Sequence, residues 1–349
     1  MVERGKVQRV DEQGRPVTAV AMMSGGLDSR LAARIVLEQG VKVVAFNYQT
    51  CFFPGVAAEE ADSEVAQACR ALGVPLHVVD DDEAFIEMLK SPRYGFGRHM
   101  NPCIDCRIRQ FRLAKEYMES IGGHFLVTGE VLGQRPMSQR RGAMRLIDRK
   151  AEVEGLVLRP LSAKRLSPTV AEEKGLVDRT KLYGISGRSR KKQIELAAQF
   201  GITDYPAAAG GCLLTYEGSA RKVRDLVEHK PEAAVRDFRL LRVGRHYRLP
   251  GGGMAIVGRD EGENARLLGL AAEGDVIYDR EDTVGPIVLL CDATEAGDRA
   301  LAAALCVSHS KLGGAASGTV RYYMKGNEAD AQRVEVTPLE RAVLDKLRV

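Results

Sequence analysis

The stretch "VTAVAMMSGGLDSRLAARIVLEQG", residues 17–40, restricts the fold more than any other part of the chain. A short apolar run passes through Ser24, Gly25 and Gly26 directly into a helical pattern that begins near Asp28. Where a strand meets a helix through two glycines, unobstructed backbone N–H groups and the positive end of the helix converge on one point, which suits an anion. No lysine follows the glycines as in a G-x-x-x-x-G-K-S/T loop, and the spacing is not G-x-G-x-x-G. What remains is a glycine turn flanked by Ser24, Asp28 and Ser29, set against the plainer reading of a simple strand-to-helix joint.

The alternation continues to Leu161. "KVVAFNY", "PLHVVD", "HFLVTGE" and "GLVLRPL" read as strands, with helices near 57–72 and 105–121 between them. Strands alternating with helices imply a doubly wound parallel sheet, an α/β fold whose ligands sit beyond the carboxyl ends of the strands. "SGGLDS", "NYQT", "TGE" and "RPLS" all fall at such ends. A chain of 349 residues exceeds the usual size of one core. We expect three parts: an α/β domain over 1–217, a helical connector over 218–234 and a smaller α+β domain over 235–349. In the last, "RLLRVGRHYRL", "GMAIVG", "DVIYD", "GPIVLLCDA" and "GTVRYYMKG" read as strands around a helix at "DRALAAALCVSHS".

With 45% hydrophobic and 28% charged residues the chain has the make-up of a globular protein. No apolar run approaches the roughly 20 residues needed to span a bilayer. The opening residues show no secretory pattern, so a cytoplasmic location without a membrane partner is the expectation. Net charge is only +4, yet residues 135–195 hold sixteen Lys and Arg against seven Asp and Glu, an excess that suits a polyanion or a solvated surface.

Seven cysteines do not form a disulfide framework. "MNPCIDCRIRQFRLAK" sets Cys103 and Cys106 as a C-x-x-C pair at the start of a helix, where the helix end, Arg107 and Arg109 favour thiolate. Cys212 follows Gly210 and Gly211 in a distant turn. Cys69, Cys291 and Cys306 sit in apolar patterns and read as buried, Cys51 lies just past the second strand, and no histidines pair at metal-ligand spacing.

These motifs carry a resemblance. "SGGLDS" is similar to the SGG-x-DS signature of the PP-loop ATP pyrophosphatases, whose adenine nucleotide α-hydrolase-like fold binds ATP and splits it between the α- and β-phosphates. The resemblance implies that Ser24, Gly25, Gly26, Asp28 and Ser29 hold pyrophosphate, with Asp28 beside Mg2+ and acting in catalysis. It implies further that Asn47 meets the adenine, and that Thr128, Gly129 and Glu130 of "VTGE" meet the nucleotide. "NPCIDCR" resembles the N-P-x-x-x-C segment of MnmA-like and ThiI-like tRNA thiouridine synthetases, which makes Cys106 the first catalytic cysteine and Cys212 of "GGCLLT" the sulfur carrier. A C-x-x-C with a distant third cysteine is also similar to thiolases in which three thiolates hold a 4Fe-4S cluster. Cys103, Cys106 and Cys212 then stand as cluster ligands, as a persulfide pair with one extra thiol, or as a structural zinc or redox set.

The basic residues Arg135, Arg140, Arg141, Arg188, Arg190, Lys191 and Lys192 follow these motifs, and are candidates for contact with tRNA phosphates. "AIVGRDEGENARLLGL" with "GPIVLL" resembles the NFACT-R type of RNA-binding domain. There Arg242, Arg245, His246, Arg248 and Arg259 would offer phosphate contacts, and Tyr247 a stacking surface. The expected activity is an ATP-dependent tRNA sulfurtransferase fed by sulfide or a cysteine desulfurase relay. Sulfur insertion into a small molecule, and a non-catalytic nucleotide-sensing RNA-binding protein, are the other readings.

Overall fold

The computed structural model describes residues 8–52, 63–207, 212–280, 283–292, 295–310 and 316–349. The chain divides into two compact units, Met1–Leu213 and Leu214–Val349. Among the described residues no helix is long and apolar enough to cross a membrane.

The first unit runs β1 (Thr18–Met22), α1 (Leu27–Leu37), β2 (Lys42–Gln49), α2 (Glu64–Leu72), β3 (Leu76–Asp80), α3 (Asp82–Lys90), α4 (Cys103–Ser120), β4 (Phe125–Thr128), α5 (Arg141–Lys150), β5 (Val157–Leu158), α6 (Val170–Glu173) and α7 (Lys191–Gln199). Its five strands lie in the order β3-β2-β1-β4-β5, and every pairing is parallel. Each residue of β1 is buried, as a central strand covered on both faces requires. Ala19 and Ala21 join Leu27, Leu31, Val43, Ala45, Phe125 and Val127 in one core. Val20, Phe46 and Leu126, also buried, lie at the alternate strand positions, and α4 packs against β1 and β4.

From β1 the chain steps outward through β2 and β3, then returns so that β4 lies on the other flank of β1. Connections therefore diverge between β1 and β4, and an open parallel sheet presents its binding crevice at the carboxyl ends of such strands. The helix expected near 57–72 is α2, shortened to Glu64–Leu72 in the described residues; 53–62 lie outside them.

The second unit opens with α8 (Glu217–His229) and α9 (Val235–Leu240). It continues through β6 (Arg245–Arg248), β7 (Met254–Val257), α10 (Glu261–Leu270), β8 (Val276–Asp279), β9 (Val288–Cys291), α11 (Ala296–Ser308), β10 (Gly318–Met324), β11 (Gln332–Val336) and α12 (Arg341–Leu347). The six strands form an antiparallel sheet, β11-β10-β8-β9-β7-β6. Period-two alternation divides it into two cores: Ala255, Val257, Tyr278, Val288 and Leu290 on one face, Met254, Ile256, Ile277 and Leu289 on the other.

Two expectations for this unit are corrected. "RLLRVGRHYRL" is not one strand, since α9 runs to Leu240 and β6 begins at Arg245. Gly244 makes the break, with φ +71° and so close an approach that a Cβ would lie 2.5 Å from the Val257 carbonyl oxygen. Tyr247 offers no stacking surface. It is buried, and its hydroxyl meets His309 Nε2 at 2.7 Å. His246 is buried as well, Arg248 pairs with Asp225 at 2.6 Å, and Arg259 is engaged by Glu263.

Candidate active site

The turn between β1 and α1 is built from its own hydroxyls. Ser29 Oγ donates to Gly26 O at 2.8 Å and accepts from Ser24 N at 3.3 Å, while Ser24 Oγ lies 3.3 Å from Ser29 Oγ. Gly25 has φ +78°, and a Cβ there would press on the backbone at Glu64 and Val65. Gly26 caps α1 without any side-chain cap, so the helix start is left to its backbone donors.

Arg30, only 4% exposed, secures this turn from beneath. Its guanidinium donates to Gly25 O at 2.7 Å, Glu64 O at 3.3 Å and Asp204 O, three carbonyls from segments far apart in sequence. A buried arginine on an otherwise apolar helix face was the available sign, and sequence reasoning passed over it.

Gly129, directly after β4, lies against the start of α1. A Cβ there would fall 2.5 Å from Ser29 N and 2.6 Å from Asp28 O. Asp28 accepts from Gln134 Nε2 at 2.7 Å through Oδ2, and Gln193 Nε2 donates to Gln134 Oε1 at 3.3 Å. Burial pushes the Asp28 carboxyl above the ordinary carboxylate value, against the Gln134 hydrogen bond and the charges of Arg190 and Arg135. Its Oδ1 is buried and accepts no hydrogen bond. A hard anionic oxygen of this kind suits Mg2+.

Asn47, at the end of β2, is buried, and its amide donates to Met23 O at 2.7 Å, tying β2 to the residue before the turn. Thr128 is buried, with Oγ1 3.5 Å from Arg107 Nη2. Glu130 has a different place from the one expected. It is buried between Arg107 and Arg159, each 2.9 Å away, and Arg159 also pairs with Asp148 at 2.7 Å. Burial pushes Glu130 up, and the two guanidiniums outweigh it and hold the carboxyl below its usual value. Both arginines also lie over the Phe111 ring.

Cys103 opens α4 and Cys106 stands one turn on. Cys103 and Cys212 both lie near enough to Cys106 to act on its thiol. The expectation that Cys106 favours thiolate is overturned for the protein as it stands. Burial pushes the thiol up, Cys103 and Cys212 add to this, and Arg107 with Gln110 oppose it. Cys106 Sγ accepts from Gln110 Nε2 at 3.1 Å, and Gln110 Oε1 accepts from Arg107 at 2.6 Å. Among the described residues no group of three or more His, Cys, Asp or Glu side chains is arranged to hold a metal ion. Gly210 and Gly211 lie outside the described residues, and Cys51, Cys69, Cys291 and Cys306 are buried.

The basic residues separate into two groups. Arg188, Lys191 and Lys192 are exposed around the first turn of α7, and Arg140 and Arg141 are exposed at the start of α5. Arg190 and Arg135 act on the Asp28 carboxylate, so their charges reach the glycine turn. The cationic start of α7 opposes the helix dipole, an arrangement an anion would relieve.

A parallel sheet whose first strand turns through Ser24–Ser29 into α1, beside the strand that carries Gly129, defines a PP-loop α/β domain joined to an antiparallel-sheet unit. Residues 14–167 match the family model described as thiamine biosynthesis protein (ThiI), and residues 244–348 match the NFACT protein RNA binding domain. The chain thus carries a segment similar to the ThiI PP-loop domain, followed by one similar to the NFACT-R domain. It is 26% identical over 288 residues to the tRNA-specific 2-thiouridylase MnmA of Rippkaea orientalis, covering 80% of this chain and 76% of that protein. With the enzyme of the same name from Xanthobacter autotrophicus it shares 28% over 243 residues, 64% of this chain and 58% of the relative. Among solved structures, a 4-thiouridine synthetase in complex with RNA and ATP aligns at 22% identity over 54% of this chain and 53% of that one, with a TM-score of 0.33.

Proposed function

We propose that the protein is an ATP-dependent tRNA sulfurtransferase. The observation that supports this reading most is the glycine turn of Ser24–Ser29, with the buried Asp28 Oδ1 accepting no hydrogen bond, in the same unit as Cys106 and Cys212. The names of the similar 2-thiouridylases supply the substrate class.

In this reading ATP lies at the switch point between β1 and β4, its pyrophosphate at Ser24, Gly25, Gly26 and Ser29. Asp28 holds Mg2+, which neutralises phosphate charge when bound, and Asn47, Thr128 and Gly129 flank the nucleotide. Arg135 and Arg190 add positive charge where the α-phosphate becomes five-coordinate. A uridine carbonyl oxygen attacks the α-phosphorus and pyrophosphate leaves, turning a poor leaving oxygen into AMP.

Sulfur enters as a Cys212 persulfide. Its terminal sulfur attacks the activated carbon, AMP departs, and a Cys212–sulfur–base link forms. Cys106, its thiol proton passing to the departing thiouridine sulfur, attacks Cys212 Sγ, which releases the thiouridine and leaves a Cys106–Cys212 disulfide that a dithiol reductant restores. A cysteine desulfurase relay recharges the reduced Cys212 by passing on the outer sulfur of its own persulfide, its thiol leaving; sulfide can do so only by attacking Cys212 Sγ of the disulfide and expelling the Cys106 thiolate. Exposed Arg140, Arg141, Arg188, Lys191 and Lys192, with the NFACT-R domain, contact the tRNA backbone.

The test is a nucleoside digest of bulk tRNA incubated with the protein, ATP, a dithiol, and cysteine with a cysteine desulfurase as the persulfide source, read by mass spectrometry. Thiouridine formed in step with AMP and pyrophosphate is expected. No thiolated nucleoside under aerobic or anaerobic conditions, despite bound ATP and tRNA, would refute the proposal.

A further inference from the structure

Helix α7 buries Gln193, Leu196 and Ala197, an i, i+3, i+4 face in which glutamine is the odd member. Gln193 has no exposed surface. A buried carboxamide is costly unless its donors and acceptor are used. Here the NH2 group reaches Gln134 Oε1 at 3.3 Å, whereas Oε1 is buried without a partner. Gln134 in turn holds Asp28 Oδ2 at 2.7 Å. Two amides therefore connect the buried face of α7 to the carboxylate of the PP-loop. Arg190, the residue that caps α7, provides a second connection by acting on the same carboxylate. Lys191 and Lys192, immediately before Gln193, point to solvent.

We propose that Gln134 and Gln193 are positioning residues that make the orientation of Asp28 depend on the placement of α7, so that nucleotide binding at the PP-loop and RNA docking at Lys191 and Lys192 are thermodynamically linked. This rests on the reading above, which puts ATP at the loop and RNA phosphates at the start of α7. Fixing α7 on a polyanion restricts the Gln193 carboxamide, which restricts Gln134 and holds Asp28 toward the nucleotide's metal. Linkage is reciprocal, so the nucleotide tightens RNA binding by the same factor.

The experiment measures the dissociation constant of α,β-methylene-ATP with Mg2+ by calorimetry on the full chain, with and without saturating bulk tRNA. The converse titration of tRNA is made with and without the analogue. Coupling between sites is typically about 5–150-fold, and we expect about tenfold tightening in both directions. Gln193→Leu and Gln134→Ala bring the factor toward one, with folding checked by circular dichroism. Because Gln134 is only half-buried, Gln134→Ala decides the matter if Gln193→Leu does not fold. A factor of one in the native protein, or an unchanged factor in the folded variants, overturns the linkage. Failure of the native protein to bind either ligand alone instead overturns the function on which it rests.

Discussion

Gly129 rests directly on the backbone of Asp28, leaving no room for a methyl group between the end of β4 and the PP-loop. The obstructing atoms are all backbone, so no side-chain rotation relieves the contact. Gly129→Ala should push the loop away from β4 and weaken Mg-ATP analogue binding at least tenfold. Overpacking of this kind costs about 1–3 kcal/mol. Calorimetry and thermal unfolding check both, and unchanged binding would mean that the close approach does not set the loop.

Glu130 is buried between two guanidiniums 2.9 Å away. Glu130→Gln leaves Arg107 and Arg159 without that negative charge, although Asp148 still pairs with Arg159. Breaking such a buried pair typically costs about 3–5 kcal/mol. Urea unfolding at neutral pH should show a loss of that order, and a loss below about 1 kcal/mol would show that the network contributes little.

Cysteine substitutions distinguish sulfur transfer from nucleotide activation. Cys212→Ser and Cys106→Ser should each lower thiouridine formation more than 100-fold and still release pyrophosphate in the presence of tRNA. Cys103→Ser should have a much smaller effect, because the persulfide sequence uses two thiols. Equal loss in all three variants would favour a three-thiol ligand set.

His246 makes the second unit acid-sensitive. Burial, with the charges of Lys222 and Arg248, pushes its imidazole from the ordinary 6.5 down to about 3, against a hydrogen bond to Val243 O. The unfolded chain then binds a proton that the folded chain refuses, so the stability is present above pH 6.5 and is lost as pH falls toward 3. The slope is about 1.4 kcal/mol per pH unit. Urea unfolding at pH 7, 6 and 5 should show it, and His246→Leu should flatten it.

The parallel sheet was readable because its strands are apolar and its helices follow a regular period, with glycines marking the strand end at the PP-loop. Tyr247 was misplaced because "RHYR" has no apolar alternation to show which positions face inward. Burial of Cys106 depends on which face of α4 meets the sheet, and a C-x-x-C spacing carries no such information. Gln193 looked like an ordinary polar residue of a helix, since only the fold brings it, 59 positions from Gln134, to the amide that holds Asp28. Arg30 left a fainter mark, as a charge beside Leu27 and Leu31 on the face of α1 that is buried.

The central claim is that a uridine carbonyl oxygen becomes an oxygen of AMP before sulfur replaces it. Bulk tRNA made with uridine carrying 18O at both carbonyl positions, incubated with the protein, ATP, a dithiol, and cysteine with a cysteine desulfurase, measures this directly. The account predicts one 18O atom in AMP for each thiouridine formed. AMP that carries oxygen only from solvent, alongside thiouridine, would contradict it.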